Sequence, residues 1–438
     1  MLNNTVVYEL SVRNHSKEGT LAKVTEDLER LKALGVDIVY LMPIHPISKL
    51  GRKGEDGSLY AIQDYRRIRE DMGDIHSLSQ LIEKAHGLGM KIVMDVVFNH
   101  TGRDSVLLKE HPEWFRRDEN GNPSRKFQDW SDIYDLDYSW TGLWDYLIDV
   151  LRFWAELGVD GFRCDVASMI PLEFWITARY KLNATHDLIW IAESAPPAFL
   201  KQLRKEGYVA HSDIELYRAF DITYDYDGRE YLERYWRGQG ELKEYLQHIH
   251  LQEVLAPATA IKLRFLENHD LPRMAEIVTS PTALRNWTAF FLLLPGASMI
   301  YAGQEIKATK QSSLFEKDLI PWENGDRAFE DYLRTIIATA KKIKQACQQF
   351  EISEISRGVV HICWSGETDT YSAILNLEDR FGSVTLPEPL EGYELLSNSP
   401  VLINRSYNLP KEPLILKRGS CRSDMFVRSW ISAGQVAV

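Results

Sequence analysis

Cysteine is scarce in this chain. Cys164, Cys347, Cys363 and Cys421 are scattered over 438 residues. No two sit close enough for a metal knuckle or a redox pair. Scattered thiols in a long chain fit a reducing compartment, so a cytoplasmic protein is expected. A basic excess is also missing. Lys and Arg number 51 against 63 Asp and Glu, for a formal net charge of −12. That balance disfavours a nucleic-acid partner and an anionic membrane surface. The longest apolar run, Trp287 to Ala302, is broken by Pro295–Gly296 and is too short to cross a bilayer. The opening MLNNTVVYEL has no basic stretch ahead of an apolar run, so no secretory leader is expected. There is no Gly-rich phosphate cradle and no Gly-x-Ser-x-Gly elbow. No strand-end cluster offers the His or Cys set of a catalytic zinc.

What is present is a large apolar complement. Hydrophobic residues make up 45% of the chain and charged residues 26%, which fits one large core plus a smaller domain. Aromatics reach 11%, with 12 Trp and 20 Tyr. Core packing accounts for most of them. A second use is as flat platforms for sugar rings.

Short β-like runs alternate with helical patterns. Val6–Val12 precedes Leu21, Val24, Leu28 and Leu31, which are spaced for one helix face and closed by Gly35. Asp37–Ile44 is the next strand. Ser77-x-x-Gln80 reads as a capping box ahead of the stripe Leu78, Leu81, Ile82 and Ala85. Lys91–Phe98 follows Gly89, and the cycle continues through VDGFRCD, IWIAES, IKLRFLENHD and ASMIYAG. The sixth strand falls within Ala210–Tyr224, around AFDITYD. About eight β-then-α units predict a closed (β/α)8 TIM barrel. An open doubly wound sheet is disfavoured, because no Gly-x-Gly-x-x-Gly follows the first strand. About forty residues between Phe98 and Thr141 form too long a loop for a compact domain, so an inserted lobe is expected there. Beyond residue 348, VVHICW, TYSAILNL, SVTL, YELL and PLILK read as an antiparallel β domain. The expected division is a barrel over 1–100 and 141–348, a lobe over 101–140 and a β domain over 349–438.

Active sites of such barrels sit at the C-terminal strand ends. Asp95, Asn99 and His100 follow the third strand, Arg163 and Asp165 end the fourth, and Glu193 ends the fifth. His269 and Asp270 end the seventh, and Tyr60 lies after the second. Two carboxylates flanking an acetal can perform retaining glycoside hydrolysis. Arg163 shares a face with Asp165, because side chains alternate along a strand, and is expected to hold it as the anion. Glu193 follows an apolar run that would raise its pKa, as an acid requires. Asp270 would grip hydroxyls and stabilise positive charge on the ring, with His100 and His269 as hydrogen-bond donors. Each residue has a plainer use alone: Asp as a helix cap, Arg163 as a structural ion pair, the histidines and Tyr60 as packing. Their common placement gives them weight.

The strings DVVFNH (Asp95–His100), GFRCD (Gly161–Asp165), the Glu193 segment and FLENHD (Phe265–Asp270) resemble the four conserved regions of the α-amylase family, glycoside hydrolase family 13. LMPIHP, YDLD, GASMIYAGQE and SLYAIQDY are similar to its supporting motifs. The resemblance implies Asp165 as nucleophile, Glu193 as acid/base and Asp270 as transition-state stabiliser. It places Tyr60, Asp95, His100, Arg163 and His269 around the same sugar. It implies an α-1,4-glucan substrate, such as maltodextrin or starch fragments, and α-amylase-type hydrolysis. The alternatives are an exo-acting α-glucosidase, a 4-α-glucanotransferase, or a binding protein without catalysis. The last typically lacks one of the three acids, and all three are here. The chemistry needs no cofactor. Asn99 and Asp135 match two calcium ligands of the family, so they serve either a structural calcium or hydrogen bonding. Ser168 and Met169 stand where many α-amylases have Lys-His.

Overall fold

The computed structural model describes residues 2–418. Cys421 and the tail after it lie outside the described residues. Eight strands close into a parallel barrel: Val6–Leu10, Ile38–Leu41, Lys91–Val96, Gly161–Cys164, Ile189–Ala192, Ile222–Tyr224, Ala297–Tyr301 and, before the last of these, Ile261–Arg264. Each pairs with its sequence neighbour, and the first pairs with the last. Apart from the outer ends of Lys91–Val96 and Ile261–Arg264, every strand residue is buried. This is why the runs are continuously apolar rather than alternating.

The helices form where periodicity places them. Leu21–Leu34 buries Leu21, Val24, Leu28 and Leu31, and ends on Gly35 at φ 104°, a left-handed turn that glycine takes without strain. The expected capping box at Ser77 is displaced. The helix spans Ile75–Gly87, capped by Asp74, whose carboxylate accepts from Ser77 N while Ser77 Oγ accepts from Asp74 N. Ser77 is therefore the fourth and last residue of the box rather than its first. The anionic Asp74 is the better acceptor at the positive helix end.

The sixth strand is three residues of the expected AFDITYD segment. Asp221 just ahead of it accepts from Trp190 N at 2.9 Å, which ties it to the fifth strand. The long segment after the third strand carries a hairpin of His100–Gly102 with Ile133–Asp135 and a short helix, Val106–Glu110.

The chain divides into two compact units. One comprises residues 1–279 and 294–337, and holds the barrel and the inserted hairpin. The other comprises 280–293 and 338–438. Its described part is a six-stranded antiparallel sheet that begins at Gln349, with a second two-stranded sheet. The sheet and a helix over Ala283–Leu294 were both expected from the sequence, but the helix, observed at Pro281–Leu293, belongs to this unit and not to the barrel. Asn286 Oδ1 accepts from Asn376 N, and Trp364 Nε1 donates to Leu293 O, which binds that helix to the sheet. Among the described residues no helix is long and apolar enough to cross a membrane.

Candidate active site

The barrel register sets the centre of the site. Asp95 on the third strand lies opposite Arg163 on the fourth. Arg163 has no solvent exposure. Its Nη1 donates to Asp95 at 3.0 and 3.1 Å and to Asp165 Oδ1 at 3.0 Å. Its Nη2 lies 3.0 Å from Glu193 Oε1. Nε donates to Tyr224 Oη at 3.3 Å, and the rings of Tyr40, Tyr60 and Tyr224 stand 5.4–5.9 Å from the guanidinium carbon. Burial opposes the charge, but Asp95 and Glu193 outweigh it and hold Arg163 firmly protonated.

One guanidinium thus links the two carboxylates that the sequence singled out. Asp165 follows Cys164 directly. The next residue, Val166, adopts φ 36°, ψ 44°, a left-handed conformation costly for a β-branched side chain. That turn directs Val166 N–H at Glu193 Oε2, at 2.7 Å. Glu193 has no cation near it in sequence but has Arg163 beside it in space.

The expectation that Arg163 depresses the Asp165 pKa needs correcting in sign. The contact is present, but one cation is shared among three carboxylates in a dry site. Burial and repulsion from Glu193 push the Asp165 carboxyl well above the usual carboxylate range, against the pull of Arg163. Burial likewise raises Glu193, with Asp270 adding to it and Arg163 opposing it. Both carboxyls of this pair therefore hold a proton more readily than free carboxyls do.

His269 is clamped on both nitrogens. Nδ1 forms a short contact with buried Glu9, and Nε2 lies 2.8 Å from Tyr60 Oη and 3.2 Å from Asp270 Oδ2. Tyr60 donates to Asp95 at 3.0 Å and stacks on His269 at 5.4 Å. Burial disfavours the imidazolium, but Asp270 and Glu9 prevail and raise its pKa to about 9. His100 is held neutral, its pKa lowered to about 3 by burial and by the Lys126 ammonium.

Tyr60, His100, Asp165, Glu193, His269 and Asp270 line one cavity of about 220 Å3. Asp95 and Arg163 lie behind its wall. Trp130 and Asp132 of the lobe, Lys53 and Phe315 border the same space. Lys53 Nζ donates to Asp129 O at 2.6 Å, lies 3.4 Å from Asp132 and stands over the Phe315 ring at 5.7 Å.

Sequence reasoning missed Glu9, Tyr40, Tyr224, Lys53 and Lys126. Glu9, an acid inside an otherwise apolar strand, was a usable signal for the first of these. Lys53 and Lys126 lie on irregular segments with no period to read. Asn99 and Asp135 do come together, on either side of Lys126. Its ammonium donates to Asn99 Oδ1 at 2.8 Å and lies 3.7 Å from Asp135 Oδ2. Ser168 and Met169 are buried, and Ser168 Oγ accepts from Ala195 N.

The fold and cavity define a (β/α)8 barrel with an acidic pocket at its strand ends. The family model "Alpha amylase, catalytic domain" matches residues 8–361. The chain belongs to the α-amylase family, glycoside hydrolase family 13. A solved α-amylase from Lactobacillus plantarum is 38% identical with a TM-score of 0.90, over 95% of this chain and 99% of that one. A noncanonic maltogenic α-amylase, AmyB, from Thermotoga neapolitana is 34% identical with a TM-score of 0.85, over 95% and 99%. Among curated relatives, an α-1,4-glucan:maltose-1-phosphate maltosyltransferase of Cereibacter sphaeroides is 33% identical over 227 residues, 46% of this chain. The match spans 34% of that relative's length. The α-amylase MalA of Haloarcula japonica is 26% identical over 90% of this chain and 58% of its own.

Two outcomes follow from the electrostatics. A carboxyl whose folded pKa is raised binds more protons folded than unfolded, so it destabilises the fold once pH exceeds the unfolded value near 4. Asp165→Asn should therefore raise Tm at neutral pH, and the gap should close as pH falls towards about 4. Thermal melts across pH measure this; a variant less stable at every pH would contradict it. Glu9→Gln removes an anion from His269 and should lower the histidine's pKa from about 9 towards its ordinary value. An imidazole NMR titration reads the shift.

Proposed function

We propose that the chain is a retaining glycoside hydrolase of α-amylase type acting on α-1,4-linked glucans such as maltodextrins. The observation that carries this reading is the shared guanidinium. Arg163 contacts both Asp165 and Glu193 at 3.0 Å, and Asp270 borders the same cavity. Two carboxyls held near one anomeric carbon suit double displacement, which calls for a separation of roughly 5–5.5 Å. Asp165 attacks the anomeric carbon while Glu193 donates its proton to the leaving oxygen. Glu193 then takes a proton from the acceptor that releases the glycosyl ester. Asp270 and the cationic His269 bind hydroxyls of the distorted sugar, and Tyr60 covers its apolar face. Double displacement needs Asp165 as the ion, a form the Arg163 guanidinium favours, and the proton on Glu193.

A second reading, glucosyl transfer, draws support from the maltosyltransferase relatives. It uses the same intermediate with a sugar as acceptor. Chromatography of products from maltoheptaose separates the two: shorter chains only for hydrolysis, chains longer than the substrate for transfer. Glucose alone would mark exo action. Asp165→Asn should lose roughly 10⁴-fold or more in kcat while remaining folded. A variant of near-normal rate would remove Asp165 from the nucleophile's role.

A further inference from the structure

The family resemblance gives Asn99 and Asp135 to a calcium ion, but the residues around them do not fit one. Calcium takes six to eight oxygen ligands. Here the space between the two side chains is occupied by Lys126, whose Nζ is 2.8 Å from Asn99 Oδ1 and 3.7 Å from Asp135 Oδ2. Among the described residues no group of three or more His, Cys, Asp or Glu comes together to hold a metal. Lys126 is not a passing surface lysine. Its own backbone N–H donates to Asp135 Oδ2 at 2.7 Å, and its side chain is only 13% exposed. Asp135 in turn lies opposite His100 in the inserted hairpin.

We propose that Lys126 takes the place of a structural calcium and, through Asn99, helps fix His100 in its Nε2–H form at the wall of the cavity. An ammonium can only donate. Asn99 must therefore present its carbonyl oxygen to Lys126. That leaves Asn99 Nδ2 facing His100 Nδ1, at 3.1 Å. An amide nitrogen donates, so Nδ1 accepts, and the neutral ring carries its proton on Nε2. The ring also donates to the Tyr60 backbone carbonyl, which calls for the same tautomer, and His100 lines the cavity. With the ammonium removed, Asn99 is free to turn its carbonyl to His100, and the Tyr60 carbonyl alone holds the ring proton on the far nitrogen. An Asn99 carbonyl facing Nδ1 would compete with the Tyr60 carbonyl for the one ring proton, so the tautomers would mix. Lys126 is a positioning residue: it does not itself line the cavity. The part of the proposal that concerns substrate rests on the glycosidase reading; the tautomer and the calcium substitution do not.

The test uses the full chain as wild type, Lys126→Met and Lys126→Arg. Thermal melts of the wild type with EDTA and with millimolar calcium chloride should coincide. A stabilisation of several degrees by calcium, or its loss on chelation, would overturn the substitution. Imidazole ¹⁵N NMR on ¹⁵N-histidine protein, with the His100 signals identified by their loss in His100→Gln, should show the Nε2–H tautomer. An Nδ1–H ring in the wild type would overturn the relay. Lys126→Met should shift His100 towards Nδ1–H or a mixture and raise KM for maltoheptaose several-fold. Lys126→Arg, which keeps a donor-only cation, should restore the tautomer. An unchanged His100 in Lys126→Met would also count against the relay. Should Lys126→Met not fold, the wild-type melts and tautomer decide by themselves. Loss of catalysis with the tautomer as stated would fault the glycosidase reading rather than the relay.

Discussion

Arg163 carries its charge where water does not reach, and a buried charge persists only where opposite charges and acceptors surround it. Asp95, Asp165 and Glu193 supply the charge, and the oxygen of Tyr224 supplies a further acceptor. These groups arrive from the third, fourth, fifth and sixth strands. Only a closed barrel in fixed register brings them to one point, because a one-residue slip would send each side chain to the opposite face. The packed strands beneath thus hold an arrangement that is electrostatically unfavourable in itself. The left-handed turn at Val166 belongs to the same logic: a strained residue is retained where its amide holds Glu193.

The site is a balance of charges rather than a row of acids. Around the cavity stand Asp95, Asp165, Glu193, Asp270 and Glu9, against Arg163 and the protonated His269. The deficit of positive charge, in a place that water scarcely solvates, makes the Asp165–Glu193 pair easier to protonate than free carboxyls. In the proposed double displacement, one carboxyl gives up that proton and the other keeps it, which divides the labour between nucleophile and acid. His100 has the opposite task. It stays neutral because it is buried and because Lys126 already supplies the local cation.

Much of this was legible in the sequence, and the rest was not for physical reasons. Apolar runs ending in Asp165 and Glu193 read well, because acids at several strand ends share one placement that helix capping of each alone does not explain. Arg163 was paired with Asp165 by the two-residue alternation of a strand. The sixth strand, Ile222–Tyr224, is too short to show a period. The start of the helix Ile75–Gly87 was misplaced because Ser77 can open or complete a capping box, and only the chain path shows that Asp74 opens it. The sign of the Asp165 shift was unreadable, since it depends on how many carboxylates share one guanidinium in three dimensions. Lys126 lies in a loop of no regular pattern, so its meeting with Asn99 and Asp135 follows from the fold of the hairpin alone.

The most direct measurement is to trap the glycosyl ester. A slow fluorinated α-glucosyl fluoride, incubated with the full chain and followed by peptide mass spectrometry, should leave one sugar on one side chain. The account predicts that this side chain is Asp165. A label on Glu193 or Asp270, or turnover with inversion of anomeric configuration and no label at all, would contradict it.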